Sequence, residues 1–370
     1  MRNTTNLRIP GPTPVPAEIL EAVGRPMVNH RGREFAALVQ RVTERLKEFY
    51  LTKGEALVLS ASGTGGMEAA VVNTLSPGDK VLAVSIGSFG DRFAAIAETY
   101  GAQVTALAYE WGQAADAEDV RKALAAEPEI KAVLVTHNET STGVTNPLEE
   151  IAKVVRESDR LLIVDAVSSL GAIPLDMDGW GLDVVVTGSQ KGWMVPPGLA
   201  FVCLSERAWK ANESARMPRF YLDLARARDM LQKGQTPWTP AMSIFFGLDI
   251  ALERMEAEGL ESIHARHANI GGMVREGVKA LGLELLASDE RYASNTVTAI
   301  KCPGGVEVSA LRTMLEDEHG VVLAGGQSKL SGKIFRIGHL GLVSEDDIRN
   351  ALDALAEVLP RVGYSTPVGR

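Results

Sequence analysis

The sequence predicts an α/β protein: a large unit built on a parallel sheet with helices on both faces, then a smaller α+β unit. Three observations predict it. From Glu55 to Ser205, short apolar runs alternate with helical segments, the pattern of repeated βαβ units. The last third changes style, with short strands separating two helices. The stretch 161–192, from LLIVDAVSSL to DVVVTGSQKGW, ends one buried strand in Asp165 and the next in Ser189-Gln190-Lys191. Strand ends are where open α/β sheets bind ligands.

Residues 1–16 carry Pro10, Gly11, Pro12, Pro14 and Pro16, so they read as an extended arm, on the chain's own body or on a partner. Residues 17–24 read as a short helix. Residues 33–50 read as a stronger one, with Phe35, Leu38, Val39, Val42, Leu46 and Phe49 at helical spacing. The alternation then begins with the strand EALVLS and SGTGGMEAAVVNTL, a Gly-rich turn opening a helix. The strand KVLAVSI follows, then the helix FGDRFAAIAETYG, stopped by Gly101, and the strand AQVTALAY. A helix over 116–126, the strand KAVLVTH and a helix started by Pro147 lead to the Leu161 strand. After Lys191, LAFVCLS reads as a strand returning along the sheet. Residues 206–240 read as irregular, and 243–258 and 260–281 as helices parted by Gly259. Strands LELLA, TVTAIKC, VVLAGG and KIFRIGHLG then separate helices at 306–319 and 344–359. The expected division is an arm (1–16), a large unit (17–259) and a small unit (260–370).

At 370 residues, 45% apolar and 23% charged, the composition is that of a soluble globular protein with room for two domains. A net charge of −9 disfavours a general nucleic-acid or anionic-membrane surface, so an anionic ligand would need local donors. Two cysteines without CxxC spacing suit a reducing compartment rather than a metal cluster; Cys203 reads as core and Cys302 as structural. The first residues hold no apolar signal segment, and no apolar run approaches the roughly 18 residues of a membrane span. The expectation is a cytoplasmic, unanchored protein.

Ser62-Gly63-Thr64-Gly65-Gly66 follows a strand and opens a helix, which makes an anion site, most naturally for phosphate. It lacks the Lys-Ser/Thr of a Walker A loop and the GxGxxG spacing, so it equally fits a plain turn capped by Ser62. The run Thr136 to Gly143 is either the polar wall of a pocket or a polar loop. Together these pieces match the needs of pyridoxal phosphate: a Schiff-base lysine, an acid for the pyridine nitrogen, a phosphate cradle, an aromatic and a donor to the phenol oxygen. Lys191, Asp165, Ser62 to Thr64, Phe89 and Ser141 fill those roles.

The motifs PGPTPVP, SGTGGMEAA, THNETSTGV, LLIVDAVSSLG, GSQKGWMVPPG, WTPAMS and KIFRIGHLG span nearly the whole chain. They resemble those of class V aminotransferases of fold type I, in the alanine–glyoxylate and serine–pyruvate group. The resemblance extends to its bacterial branch also labelled soluble hydrogenase small subunit. It implies a large domain with a mostly parallel seven-stranded sheet, a smaller C-terminal α+β domain, pyridoxal 5'-phosphate and a homodimer with shared sites. It further implies ping-pong transfer from a small amino acid, alanine or serine, to glyoxylate or pyruvate. By that resemblance Lys191 forms the Schiff base, Asp165 meets the ring nitrogen, and Phe89 and Val167 flank the ring. Ser62, Gly63, Thr64 and Gln190 hold the phosphate, with Thr236 and Thr239 reaching in from the other subunit. Ser141 contacts the phenol oxygen, and Arg336 clamps the substrate carboxylate. Phe89 stands where many relatives have Trp and Thr64 where some have His, departures that bear on substrate tuning. One carboxylate-binding arginine, with no second cation evident, favours small neutral donors.

Alternatives stay open at single residues. Arg336 could instead close a salt bridge, and Trp193 either lines the pocket or wedges the lysine loop. His30 and Arg31 either touch substrate or start a solvated helix. A cysteine desulfurase would need a nucleophilic Cys on a flexible loop, a setting neither cysteine has. A subunit of a redox complex would need metal ligands that no cluster here supplies.

Overall fold

Seven short runs of Val, Ile, Leu and Ala pair into one sheet in the computed structural model, which describes residues 5–364. In chain order the elements begin with β1 (Asn6–Arg8), α1 (Ala17–Val23), α2 (Arg33–Tyr50), β2 (Ala56–Leu59), α3 (Gly63–Thr74), β3 (Lys80–Ser85), α4 (Ser88–Thr99) and β4 (Gln103–Ala108). There follow α5 (Ala117–Ala126), β5 (Ile130–Thr136), β6 (Asn138–Glu139), β7 (Val144–Thr145), α6 (Leu148–Glu157), β8 (Leu161–Asp165), α7 (Met177–Trp180), β9 (Val184–Gly188) and β10 (Ala200–Leu204). The remainder comprises α8 (Glu206–Ser214), α9 (Leu224–Leu231), α10 (Met242–Glu258), α11 (Leu260–Ala280), β11 (Val297–Lys301), α12 (Val308–His319), β12 (Val321–Gly325), β13 (Ile334–Gly338) and α13 (Glu345–Val358).

The large sheet has the order β2-β10-β9-β8-β5-β3-β4, and β10 runs antiparallel to both its neighbours, the returning strand that LAFVCLS suggested. Its inner strands are mostly apolar because both faces are covered, whereas the edge strand β4 stays largely exposed. Leu82, Val84, Val133, Val135, Leu162 and Val164 face a core shared with α2, α6 and α10. Val81, Ala83, Ala132, Leu134 and Ile163 face a second core with α3 and α4. Alternate residues of each strand thus enter opposite cores, as the two-residue strand period requires. The chain steps outward from β3 to β4 and then returns to the other side of β3 as β5. That reversal opens a crevice at the strand ends between β3 and β5.

A second sheet, β1-β12-β13-β11, follows the change of style in the last third. The Pro-rich arm contributes to it: Asn6–Arg8 pair in parallel with Val321–Leu323 as an edge strand. The arm then crosses its own body, where Thr13 N donates to Gln190 O at 3.1 Å and Thr13 Oγ1 to Lys191 O at 3.0 Å. Residues 1–4 of the arm lie outside the described residues.

The region 206–240 is not irregular throughout. Ser205 caps α8 by accepting from Ala208 N at 3.1 Å, and Asp223 caps α9 by accepting from Arg226 N at 3.1 Å. Each helix buries only one or two apolar residues in the core, too narrow a stripe for periodicity to reveal. LELLA is no strand: it touches β11 by one bridge, Leu285 to Ile300, before Ser288 turns away to bond Gly112 O. Trp193 is a wedge, edge-on to Phe49 and Phe201 at 5.5 and 5.3 Å between ring centroids, with its N–H on Thr187 Oγ1. Among the described residues no helix is long and apolar enough to cross a membrane.

Candidate active site

Parallel pairing of β8 with β9 puts Asp165 level with Val186, so the acid and the Ser189-Gln190-Lys191 turn leave the sheet side by side. Asp165 is buried; its Oδ1 accepts from Val167 N at 2.9 Å and its Oδ2 from Thr136 Oγ1 at 3.3 Å. Burial pushes this carboxyl up to about 6, although the two hydrogen bonds and the charges of Lys191 and Arg92 oppose the shift. The Lys191 amine is also buried and donates to Pro10 O at 2.6 Å. Burial lowers it to about 8, with the charge of Arg336 adding to the effect and Asp165 opposing it. Roughly a tenth of such amines are neutral at pH 7, enough to act as a nucleophile.

Ser62 caps α3, its Oγ accepting from Gly65 N at 3.3 Å. The N–H groups of Gly63 and Thr64 therefore point out of the helix end with the positive end of its dipole. Gly63 is required there: a Cβ would lie 2.7 Å from Val167 Cγ2, so the backbone itself forms the wall beside Val167. Gln190 Oε1 approaches Gly188, whose own Cβ position lies 3.4 Å from Gly63, so Gln190 joins the same corner. Across it, Arg92 donates to Thr64 Oγ1 at 3.1 Å and lies over the Phe89 ring at 4.6 Å.

On the β5 side, Ser141 Oγ bonds Glu139 Oε1 at 2.6 Å and accepts from Ser88 N at 3.0 Å. Next to it Thr140 O receives Arg336 Nη1 at 2.9 Å, while Arg336 Nε bonds Gly325 O at 2.9 Å and Nη1 also reaches Gln327 Oε1 at 3.3 Å. Arg336 is only 4% exposed, yet no carboxylate lies within ion-pair distance among the described residues. The salt-bridge alternative thus has no partner. Its Nη2 group keeps its donors, and burial draws the guanidinium down to about 10.

Nine of the expected residues, and Val167 with them, converge on this crevice. Thr236 and Thr239 do not join it within one chain: they border a separate cleft with Ser60, Tyr221 and Trp238, and the Thr236 hydroxyl donates to Trp238 O. Arg31 is tied to that same loop through Gln235 Oε1 and Thr236 O. Three participants escaped the sequence reading. Arg92, a second cation acting on both Asp165 and Lys191, lies one helical turn after Phe89 and could have been found by that spacing. Glu139 was visible only as one polar residue in a polar run. The Pro10 carbonyl has no sequence signal.

The family model described as Aminotransferase class-V matches residues 12–339. A protein named soluble hydrogenase, small subunit, from Synechococcus sp. is 46% identical, covering 99% of this chain and 95% of its own. The serine–glyoxylate aminotransferase of Methylorubrum extorquens is 38% identical, covering 94% of this chain and 89% of its own. The crystal structure of alanine–glyoxylate aminotransferase from Nostoc sp. aligns with a TM-score of 0.93 at 31% identity, covering 97% of this chain and 96% of that one. With a family match over most of its length and relatives that align end to end, the chain belongs to the class V aminotransferase family and is a transaminase of fold type I.

Proposed function

We propose that the protein binds pyridoxal 5'-phosphate and moves the amino group of alanine or serine to glyoxylate or pyruvate in two half-reactions, as a cytoplasmic homodimer. The observation that carries this reading is the pairing of a buried lysine near pKa 8 with a buried acid near 6 on neighbouring strand ends. The residues fit the cofactor. Asp165 has two donors for about four acceptor positions, and a protonated ring nitrogen would fill one and relieve the burial that raises its pKa. The helix end at Gly63 and Thr64 presents unpaired N–H groups to an anion, and the close approach of Gly63 to Val167 makes a flat wall for a ring.

When bound, pyridoxal phosphate supplies an electron sink conjugated to the substrate amine. Lys191 would hold the cofactor covalently, and its amine would move the Cα proton, first as base and then as acid. A pKa near 8 serves both directions close to neutral pH. Asp165 would hold the proton on the ring nitrogen, and Phe89 and Val167 would flank the ring. Ser62, Gly63, Thr64 and Gln190 hold the phosphate, joined by Thr236 and Thr239 from the other subunit. Arg92, engaged by Thr64 and Phe89 on the phosphate side, leaves Arg336 as the cation free for a substrate carboxylate. This arrangement favours donors with one carboxylate. Mixing the loaded enzyme with single amino acids and following its visible absorbance tests the donor: alanine and serine should react well and aspartate poorly, and a preference for aspartate overturns the assignment.

Arg336→Lys keeps the fold and the bound cofactor but removes the Nη2 donors that Gly325 O, Thr140 O and Gln327 Oε1 leave for a carboxylate. The expected loss in kcat/KM is about 2–4 kcal/mol, roughly 30- to 1,000-fold, for alanine and glyoxylate alike. If the variant unfolds while its surviving fraction keeps wild-type kinetics, Arg336 is structural, and Arg31 becomes the first candidate for the carboxylate.

The dimer reading is supported by exposed aromatics beside Thr239. Phe220 and Tyr221 are 68% and 50% exposed, and both stack on Trp238. Such a patch suits burial against a second copy. Sedimentation at assay concentration should give a dimer, and an active monomer contradicts shared sites.

A further inference from the structure

We infer that Glu139 is a positioning residue that commits the Ser141 proton to itself, so that Ser141 turns a lone pair, not a proton, toward the cofactor's phenol oxygen. The inference rests on the proposed cofactor and deepens that reading. It also reverses the polarity expected from sequence, where Ser141 was to donate.

The argument is a count of protons. A serine hydroxyl has one proton and two lone pairs. Glu139 Oε1 receives Ser141 Oγ at 2.6 Å and Ser141 N at 3.0 Å, while Oε2 receives Phe89 N at 3.0 Å and Gly90 N at 3.1 Å. Four donors around one side chain suit a carboxylate, which only accepts; a protonated carboxyl would turn its own O–H against one of them. Burial and the charge of Asp165 raise the Glu139 pKa, but the bonds from Ser141 and Gly90, the N-terminus of α4 and the nearby Arg336 charge all favour the ionised form. With its proton on Glu139, Ser141 Oγ uses one lone pair for Ser88 N at 3.0 Å. One lone pair remains, and it can only accept.

Glu139 has a second effect through the same four bonds. Gly87, the N-cap of α4, brings no side chain to the helix end, and Glu139 from β6 caps it instead through Phe89 N and Gly90 N. A Cβ at Gly87 would collide with both Glu139 and Ser141, so nothing separates the helix start from the hydroxyl. The Phe89 wall and the Ser141 contact therefore move as one unit, held by a carboxylate that is 0% exposed and itself touches no substrate.

A lone pair and a negative charge facing the phenol oxygen both disfavour the added charge it carries once the proton it shares with the lysine nitrogen is lost. The visible band of the bound cofactor reports that proton, and its midpoint pH is the measurement. Glu139→Gln has the same shape but no charge, and it frees Ser141 to donate. The midpoint should fall by about one pH unit or more. Ser141→Ala should lower it too, because the lone pair facing the oxygen is lost; loss of a donor would raise it. The double variant should shift by less than the sum of the two, since both act through one hydroxyl. A purely structural Glu139 would lower melting temperature and cofactor affinity without moving the midpoint. An unshifted midpoint in Glu139→Gln, or a rise in Ser141→Ala, overturns the inference. Should Glu139→Gln not fold, the sign in Ser141→Ala decides, since that variant keeps the Glu139 cap on α4. If the wild-type protein takes up no pyridoxal phosphate, the functional reading itself has failed.

Discussion

Lys191→Ala is expected to abolish the visible absorbance of the bound cofactor and to lower turnover by about four orders of magnitude or more. The proposed mechanism gives this lysine two roles, the covalent hold on the cofactor and the base that moves the Cα proton, the second alone worth about 10²–10⁴-fold. The fold should persist, because the buried amine gives up only its bond to Pro10 O and leaves no unpaired acid behind. Asp165 keeps its bonds to Val167 N and Thr136 Oγ1 without it. Steady-state assays with alanine and glyoxylate and an absorbance scan check the prediction. Full activity in Lys191→Ala would remove the lysine from the mechanism.

Asp165→Asn is expected to retain cofactor yet transaminate about 10²–10³-fold more slowly, a loss of about 3–4 kcal/mol. A neutral amide cannot hold a proton on the ring nitrogen, so the electron sink weakens. A rate within threefold of wild type would mean that another group protonates the ring. The same substitution has a signature in the cofactor-free protein. The folded Asp165 pKa of about 6 lies above the unfolded value near 3.8, so the folded chain binds this proton more tightly. Its contribution to stability is present below the unfolded value and is lost as pH rises through about 6. Cofactor-free Asp165→Asn should therefore melt higher than cofactor-free wild type at pH 7.5, with the gap narrowing toward pH 5. Function and stability pull this residue in opposite directions, as expected of a site built to receive a cation.

The strand ends were legible because they are local. Apolar runs such as LLIVD and VVVTG declare buried parallel strands by composition, and whatever follows them must emerge at the sheet's edge. That logic located Asp165, Lys191 and the Ser62 to Thr64 turn. Even α10 and α11, parted at Gly259, were readable from periodicity to within a residue at each end. Helices α8 and α9 were not, since eight or nine residues with one narrow buried stripe look like a polar loop.

By itself the sequence determined the order of the strands along the chain, the residue types at their ends and, through its motifs, the family. The tertiary structure decided what those residues face. Pro10 meets Lys191 across 181 positions, and Thr140 meets Arg336 across 196. It also decided that the arm becomes an edge strand beside β12 and that, among the described residues, Arg336 has no carboxylate within ion-pair distance. The same holds for Ser141, whose hydroxyl reads as a donor in the sequence but is turned to Glu139 in the fold. The physical reason is common to all of these. Periodicity and burial are properties of a segment, whereas the direction of a hydrogen bond and the pKa of a buried group depend on which donors and charges distant segments bring to it.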